Sequence, residues 1–359
     1  MIVHLFPSQK ITVDFVTLIN KNFDNEEHIF YIYGNESEEK NKESLDSFSN
    51  VHYFDDRFFS KSWKEFYSIA KISNGIIFHS FLLTKKMIMR FQLNRNLFSK
   101  AAWFIWGGDL YDIQRNKKLP TRIRLSLEKS LLKKFSYIIT NIHGDFNKAI
   151  KDFSLSADHL CARYMDQNIF KFDNVKKKNI KKKILVGNSA TVSNNHIEIL
   201  EKLRKFRDED IEIHVPLSYG DKAYANQVKT IGENFFGSKF IPLMDFMDKE
   251  NYNRFLETID IAIFNNDRQQ AVGNINGLLF LGAKIFLRND TTMWDYFKIS
   301  SMENIYEVGS IETSSFEDFV YYSNEIRKVN REVIESKCGE DNVVSEWREV
   351  FKVMNKQNI

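Results

Sequence analysis

The sequence predicts an α/β protein made of two doubly wound, Rossmann-like domains. Three observations carry this prediction. Short apolar runs such as Ile76-Ile77-Phe78 and Ala102-Trp103-Phe104-Ile105-Trp106 lack polar alternation, as strands covered on both faces do. Between them lie segments with apolar residues at helical spacing. A lysine-rich stretch without periodicity, 171–183, breaks the pattern, which then restarts.

Taken in order, Ile2–Phe6 reads as a strand and Ile11–Phe23 as a helix whose buried stripe is Ile11, Phe15, Leu18 and Ile19. Ile29–Tyr33 is the next strand, and Asn35–Ser49 a polar surface loop. Val51–Phe54 is a short strand, Trp63–Ile72 a helix, and Ile76–His79 a strand ending in a histidine. Leu82–Phe98 is a helix with both basic and apolar residues, followed by the Ala102–Trp106 run. Pro120 introduces a helix to about Lys134, and Tyr137–Thr140 and Phe146–Phe153 continue the alternation. The second half repeats it with strands at Ile184–Val186, Ile211–Val215, Ile259–Phe264 and Lys284–Leu287. Helices are expected near 197–203, 222–234, 252–258 and 273–281, and from Phe316 to about Met354. The expected boundaries are a first domain over 1–172, a linker over 173–183, a second domain over 184–330, and a helical segment over 331–359 able to cross back to the first domain.

With 43% hydrophobic and 28% charged residues, and 32 Phe against 4 Pro, the composition is that of a folded protein rich in regular elements. Cys161 and Cys338 are far apart and match no metal-ligand spacing. No apolar run approaches the roughly 18 residues of a membrane span, and the first residues lack a basic leader. The protein is expected to stay in the cytoplasm. Its net charge of +3 hides an asymmetry: Ser80–Lys134 carries thirteen Lys and Arg against three acids, or +10, so the rest sums to −7. Such a patch favours polyanions: nucleic acid, an anionic membrane or a phosphorylated substrate.

Polar residues gather where strands run out. In the first half, Gly107-Gly108 stops an apolar strand and Asp109 follows at once, where ligands bind in open α/β sheets. His79 also ends a strand and has the side chain suited to a general base near neutral pH. In the second half, Gly187-Asn188-Ser189 lies between a strand and a helix, a setting for anion binding by backbone N–H groups. Asn265–Gln270 precedes Ala271-Val272-Gly273-Asn274, with Arg268 offering a planar fork to a diphosphate. Asp290, one βα unit on, is placed for sugar hydroxyls. No dinucleotide fingerprint or P-loop is present, which argues against a dehydrogenase or a kinase.

These segments carry a resemblance. Trp106-Gly107-Gly108-Asp109-Leu110-Tyr111, Ile184–Ser189 with Ser193-Asn194 and His196-Ile197, and Arg268-Gln269-Gln270 with Gly273 resemble the Fuc4NAc transferases of glycosyltransferase family 56. Phe78-His79, Val215-Pro216 with Tyr219, and Asp290 with Trp294 fall in the same order. The family's Gly-Asn-Ser-Gly-Asp is Gly187-Asn188-Ser189-Ala190-Thr191 here, its Arg-Gln-Gln-Gly-Ile-Gly is Arg268–Gly273 with Ala271 and Val272, and its Asn-Arg-Glu-Asn-Pro is replaced by Arg288–Thr292.

The resemblance implies a GT-B fold, two Rossmann-like domains about an interdomain cleft. It also implies transfer of a 4-acetamido-4,6-dideoxyhexose from a dTDP-sugar to an undecaprenyl-diphosphate-linked oligosaccharide in surface polysaccharide synthesis. The donor would be held by Gly187, Asn188, Ser189, Tyr219, Arg268, Gln269, Gln270, Gly273, Asn274 and Asp290. The acceptor would meet Trp106, Gly107, Gly108 and Tyr111, and either Asp109 or His79 would act as the base. No metal or other cofactor is expected, and no nucleic acid as partner. The basic, apolar helices of the first half imply peripheral attachment to the inner face of an anionic membrane. The rival readings are a GT-B transferase with another nucleotide sugar, a basic nucleic-acid-binding protein, and an inert sugar-binding module.

Overall fold

The computed structural model describes residues 1–34, 43–54, 60–111, 119–165, 181–321 and 323–356. The chain forms two compact units, Met1–Met165 with Cys338–Ile359, and Asp166–Lys337.

The first unit is a seven-stranded sheet: β1 (Ile2–Pro7), β2 (His28–Tyr33), β3 (Val51–Tyr53), β4 (Gly75–His79), β5 (Ala101–Phe104), β6 (Tyr137–Ile139) and β7 (Asp158–Leu160), in the order 3-2-1-4-5-6-7. Every pairing is parallel. The second unit has β8 (Lys182–Val186), β9 (Ile211–Pro216), β10 (Phe240–Leu243), β11 (Ile261–Phe264), β12 (Lys284–Leu287) and β13 (Ile305–Glu307), in the order 10-9-8-11-12-13, again all parallel. Each sheet reverses direction beside its first strand, between β1 and β4 and between β8 and β11. That reversal opens a crevice at the strands' carboxyl ends.

Both faces of the first sheet are covered, which explains the unbroken apolar runs. Val3, Leu5, Phe78 and Trp103 face the layer that contains helices Lys61–Ile72 and Lys85–Leu93. Ile2, Phe6, Ile77 and Ala102 face Phe15 of helix Lys10–Asn22 and Trp347 and Phe351 of helix Glu340–Asn355. The last helix buries Val343, Val344, Trp347, Val350, Phe351 and Met354 on one stripe. Glu346 takes the Arg163 guanidinium in a close ion pair at 2.7 Å, and the Trp347 indole donates to the Arg163 carbonyl at 2.9 Å. The chain end therefore belongs to the first unit.

Several boundaries differ from the sequence reading. The second unit runs to Lys337, not 330, because helix Asn324–Cys338 stays with it and the return begins at Cys338. The first strand of the second unit starts at Lys182, inside the expected linker, where Lys182 pairs with Ile211; the linker residues 173–180 lie outside the described residues. The expected helix Leu82–Phe98 is helix Lys85–Leu93 followed by a 3₁₀ segment, Arg95–Lys100. Arg90, counted in the basic patch, is buried with its guanidinium over Trp63 at 5.1 Å.

Candidate active site

The loops after β4 and β5 in the first unit are tied together by Asp109. Gly107 takes φ +84°, and Gly108–Tyr111 forms one helical turn that swings the Asp109 side chain back under the loop. Asp109 is fully buried. Its Oδ2 accepts from the Phe81 main chain at 2.9 Å and the Trp103 indole at 2.8 Å, and its Oδ1 accepts from the Trp106 main chain at 3.0 Å. Burial pushes its pKa up, against the pull of these donors and of the Ser80 hydroxyl. Ser80 itself is held at φ +81°, a strained setting for a residue with a side chain. In this arrangement Asp109 presents no surface to an acceptor hydroxyl.

His79 is equally buried, and burial drives its pKa well below the usual 6.5. Its two nitrogens are engaged by Tyr164 at 2.5 Å and His4 at 3.0 Å. The Trp106 indole donates to the same Tyr164 oxygen at 2.9 Å, and Tyr111 donates to Asp145 at 2.9 Å. Of the four expected acceptor residues, Gly107 is buried, whereas Trp106, Gly108 and Tyr111 are partly exposed.

In the second unit the loops after β8 and β11 meet at the switch between those strands. Gln270 donates to Asn188 at 3.0 Å and to Ser189 at 3.2 Å, and accepts from Ser193 at 3.1 Å. Asn188 donates to the Tyr219 hydroxyl at 3.2 Å, and its main-chain N–H is held by Asn194 at 3.0 Å. Gly187 has φ +68°, and a Cβ there would stand 2.4 Å from His196 Nε2, so only glycine fits this approach. Ala271 precedes helix Val272–Leu281 at φ +60°, and no side chain caps that helix.

Polar atoms are left over at this edge. Asn266 is fully buried, yet neither its amide nitrogen nor its oxygen has a partner among the described residues. The same holds for Nε of Arg268, Oε1 of Gln269 and Nε2 of His196. Burial lowers the His196 pKa to about 4, so its imidazole is neutral near pH 7.

Of the remaining expected donor residues, Gly273 lies in the first turn of helix Val272–Leu281, and Asn274 donates to the buried Tyr252 hydroxyl at 3.0 Å. Asp290 is paired to Arg288 by hydrogen bonds of 2.9 and 2.6 Å. Sequence reasoning thus found Asn188, Ser189 and Gln270, which touch, but missed Asn194, Asn266 and His4. The first two lie in loops already singled out. His4 carries no signal inside an apolar strand until the strand order puts it beside His79.

The model of the family described as 4-alpha-L-fucosyltransferase, glycosyl transferase group 56, matches residues 17–355. The chain belongs to glycosyltransferase group 56. It is a glycosyltransferase. A glycosyltransferase from Rickettsia africae ESF-5 superimposes with a TM-score of 0.70 at 11% identity, covering 99% of this chain and 98% of that one. The N-terminal domain of Candida albicans trehalose-6-phosphate phosphatase gives 0.69 at 11% identity, over 98% and 96%. A UDP-forming trehalose-phosphate synthase from Burkholderia xenovorans gives 0.62 at 8% identity, over 99% and 100%. At such identities the likeness concerns the fold, which is GT-B. A group 56 transferase implies a nucleotide-sugar donor and an acceptor for the sugar. Among the described residues, no helix is long and apolar enough to cross a membrane.

Proposed function

We propose that this transferase moves a deoxyamino sugar, of the 4-acetamido-4,6-dideoxyhexose kind, from a dTDP-sugar to a polyprenyl-diphosphate-linked oligosaccharide. The nucleotide is bound by the second domain. The observation that carries this reading is the β8–β11 edge, where Asn188, Ser189 and Gln270 join two loops and Arg268, Gln269 and Asn266 keep polar atoms without a partner among the described residues. Buried polar groups are normally satisfied, so atoms left over at a strand switch point are suited to a polar ligand. Arg268 and the uncapped amino end of helix Val272–Leu281 meet the charge of the leaving diphosphate, and no metal is required of them. Asp290 serves the sugar only after giving up part of its pairing with Arg288.

The acceptor meets the Trp106–Tyr111 loop. Asp109 holds that loop in shape, and it and His79 are both enclosed. Lys86, Met89 and Leu93 lie along one face of helix Lys85–Leu93, all exposed, and Leu82 before the helix and Ile123 are also exposed. This apolar and basic stripe supports contact with an anionic membrane surface.

A thermal-shift comparison of UDP, GDP, CMP and dTDP tests the donor. We expect dTDP to stabilise the protein most and Arg268→Ala to abolish that response while changing the unliganded midpoint little. No response to any of the four sinks the reading. Flotation with vesicles containing phosphatidylglycerol at low salt tests the surface, and a chain that stays with the soluble fraction refutes that part.

A further inference from the structure

A file of polar side chains crosses the apolar face of the first sheet. His28 opens β2, His4 lies within β1 and His79 closes β4. The pairings of Ile2 with His28 and of Leu5 with Phe78 place each two residues further along the sheet, on one side. His28 Nδ1 lies 3.0 Å from His4 Nε2, and His4 Nδ1 lies 3.0 Å from His79 Nε2. Beyond His79 come the Tyr164 hydroxyl and the Trp106 indole. Phe6, Phe15, Phe30, Phe104, Trp347 and Phe351 pack around the rings.

Chemistry fixes the direction of this file. An indole N–H only donates, so Tyr164 accepts from Trp106. Among the described residues, His79 is the only other partner of that hydroxyl, so the phenol hydrogen finds an acceptor only when Tyr164 donates to His79 Nδ1. His79 then carries its hydrogen on Nε2 and donates to His4, and His4 donates to His28. All three imidazoles are the same neutral tautomer. Three imidazoles in an aromatic core are costly unless hydrogen-bonded, and the file satisfies every inner nitrogen.

Its outer end is the indole of Trp106, a partly exposed residue whose own main-chain N–H is held separately by Asp109. Backbone and ring of one residue are thus pinned by two independent devices, beside the strained Ser80. We propose that His28, His4, His79 and Tyr164 are positioning residues of the transfer reaction, a one-way hydrogen-bond file that fixes the Trp106 indole as a flat platform for an acceptor sugar. The proposal rests on the reading of the Trp106–Tyr111 loop as the acceptor side. A proton arriving at His28 reverses the file, because His28 then holds hydrogens on both nitrogens. His4 and His79 must change tautomer, and the Tyr164 hydroxyl loses its acceptor. The titratable groups facing the file are the Met1 amino group and Asp24 at His28, and Asp109 and Tyr33 at Tyr164.

The test uses the full chain with ¹⁵N-labelled tryptophan. The Trp106 indole resonance is identified by its loss in Trp106→Phe, and its hydrogen exchange is followed. Binding of farnesyl-diphosphate-linked N-acetylglucosamine is measured on the same samples. His79→Phe and Tyr164→Phe should each speed exchange and weaken binding by about tenfold, the effect of one lost hydrogen bond. His79→Gln keeps an acceptor and a donor in the same order and should restore both to within about twofold. It should also keep the indole protected in acid, where the wild type loses protection. Unchanged exchange in a folded His79→Phe, or in Tyr164→Phe where His79→Phe does not fold, overturns the file. So does a His79→Gln that behaves like His79→Phe. If Trp106→Ala leaves binding unchanged while exchange follows the file, the acceptor reading fails and takes the positioning role with it.

Discussion

The two sheets share one strand order, yet their carboxyl edges are built on opposite terms. At the first edge, each oxygen of Asp109 and both nitrogens of His79 already have partners inside the protein. At the second, Asn266, Arg268, Gln269 and His196 keep polar atoms without a partner among the described residues. The Asp109–His79 cluster is thus closed, although the Tyr33 hydroxyl near it also lacks a partner among the described residues, whereas the second cluster has several bonds still to make. Under the proposed function this would divide the labour: the first edge would offer a fixed aromatic surface and the second would hold the charged, polar donor.

Asp109 is the sharpest place to break this contrast. Asp109→Ala strands the Phe81, Trp103 and Trp106 donors in the interior and should cost about 4 kcal/mol in urea unfolding. Asp109→Asn should also destabilise, because an amide nitrogen must face one of those N–H groups. If Asp109→Asn is as stable as the wild type and only turnover is lost, Asp109 is the base after all.

The buried imidazoles predict acid sensitivity. Burial, aided by the nearby amino terminus and opposed by Asp24, lowers the His28 pKa from 6.5 to about 4, and His196 falls similarly. The unfolded chain therefore binds more protons as pH drops from about 6.5 to 4. The stability contributed by neutral imidazoles is complete above that window and lost within it, on the order of 3 kcal/mol for His28 alone. Unfolding midpoints should fall across this range, and His28→Phe should flatten the slope.

Gly187→Ala forces a methyl against His196 at positive φ and should cost about 2 kcal/mol, removing any nucleotide response with it. The smallest change expected is at Ala271. Its left-handed backbone is where the family pattern has glycine, so Ala271→Gly should raise stability by up to about 1 kcal/mol in the same assay. A loss there would mean the Ala271 methyl packs favourably enough to outweigh its strain.

The strands overlooked in the sequence are β7, β10 and β13, each at a sheet edge. Edge strands are short and bury less, and β10 contains Pro242, which argues against a strand unless it is an outer one. The central strands were legible because burial on both faces leaves no room for polar residues.

The sequence by itself determined the two α/β domains, the family, and the loops at which the chain stops being apolar, since each follows from local pattern. It was equally right that Asn188, Ser189 and Gln270 belong to one place. Only tertiary structure decided how Asp109 and His79 are enclosed and held. Their settings depend on burial and on partners from 3 to 85 positions away, such as Trp106 for Asp109 and Tyr164 for His79. Hydrogen-bond saturation is a property of packing, and no local pattern in the chain records it.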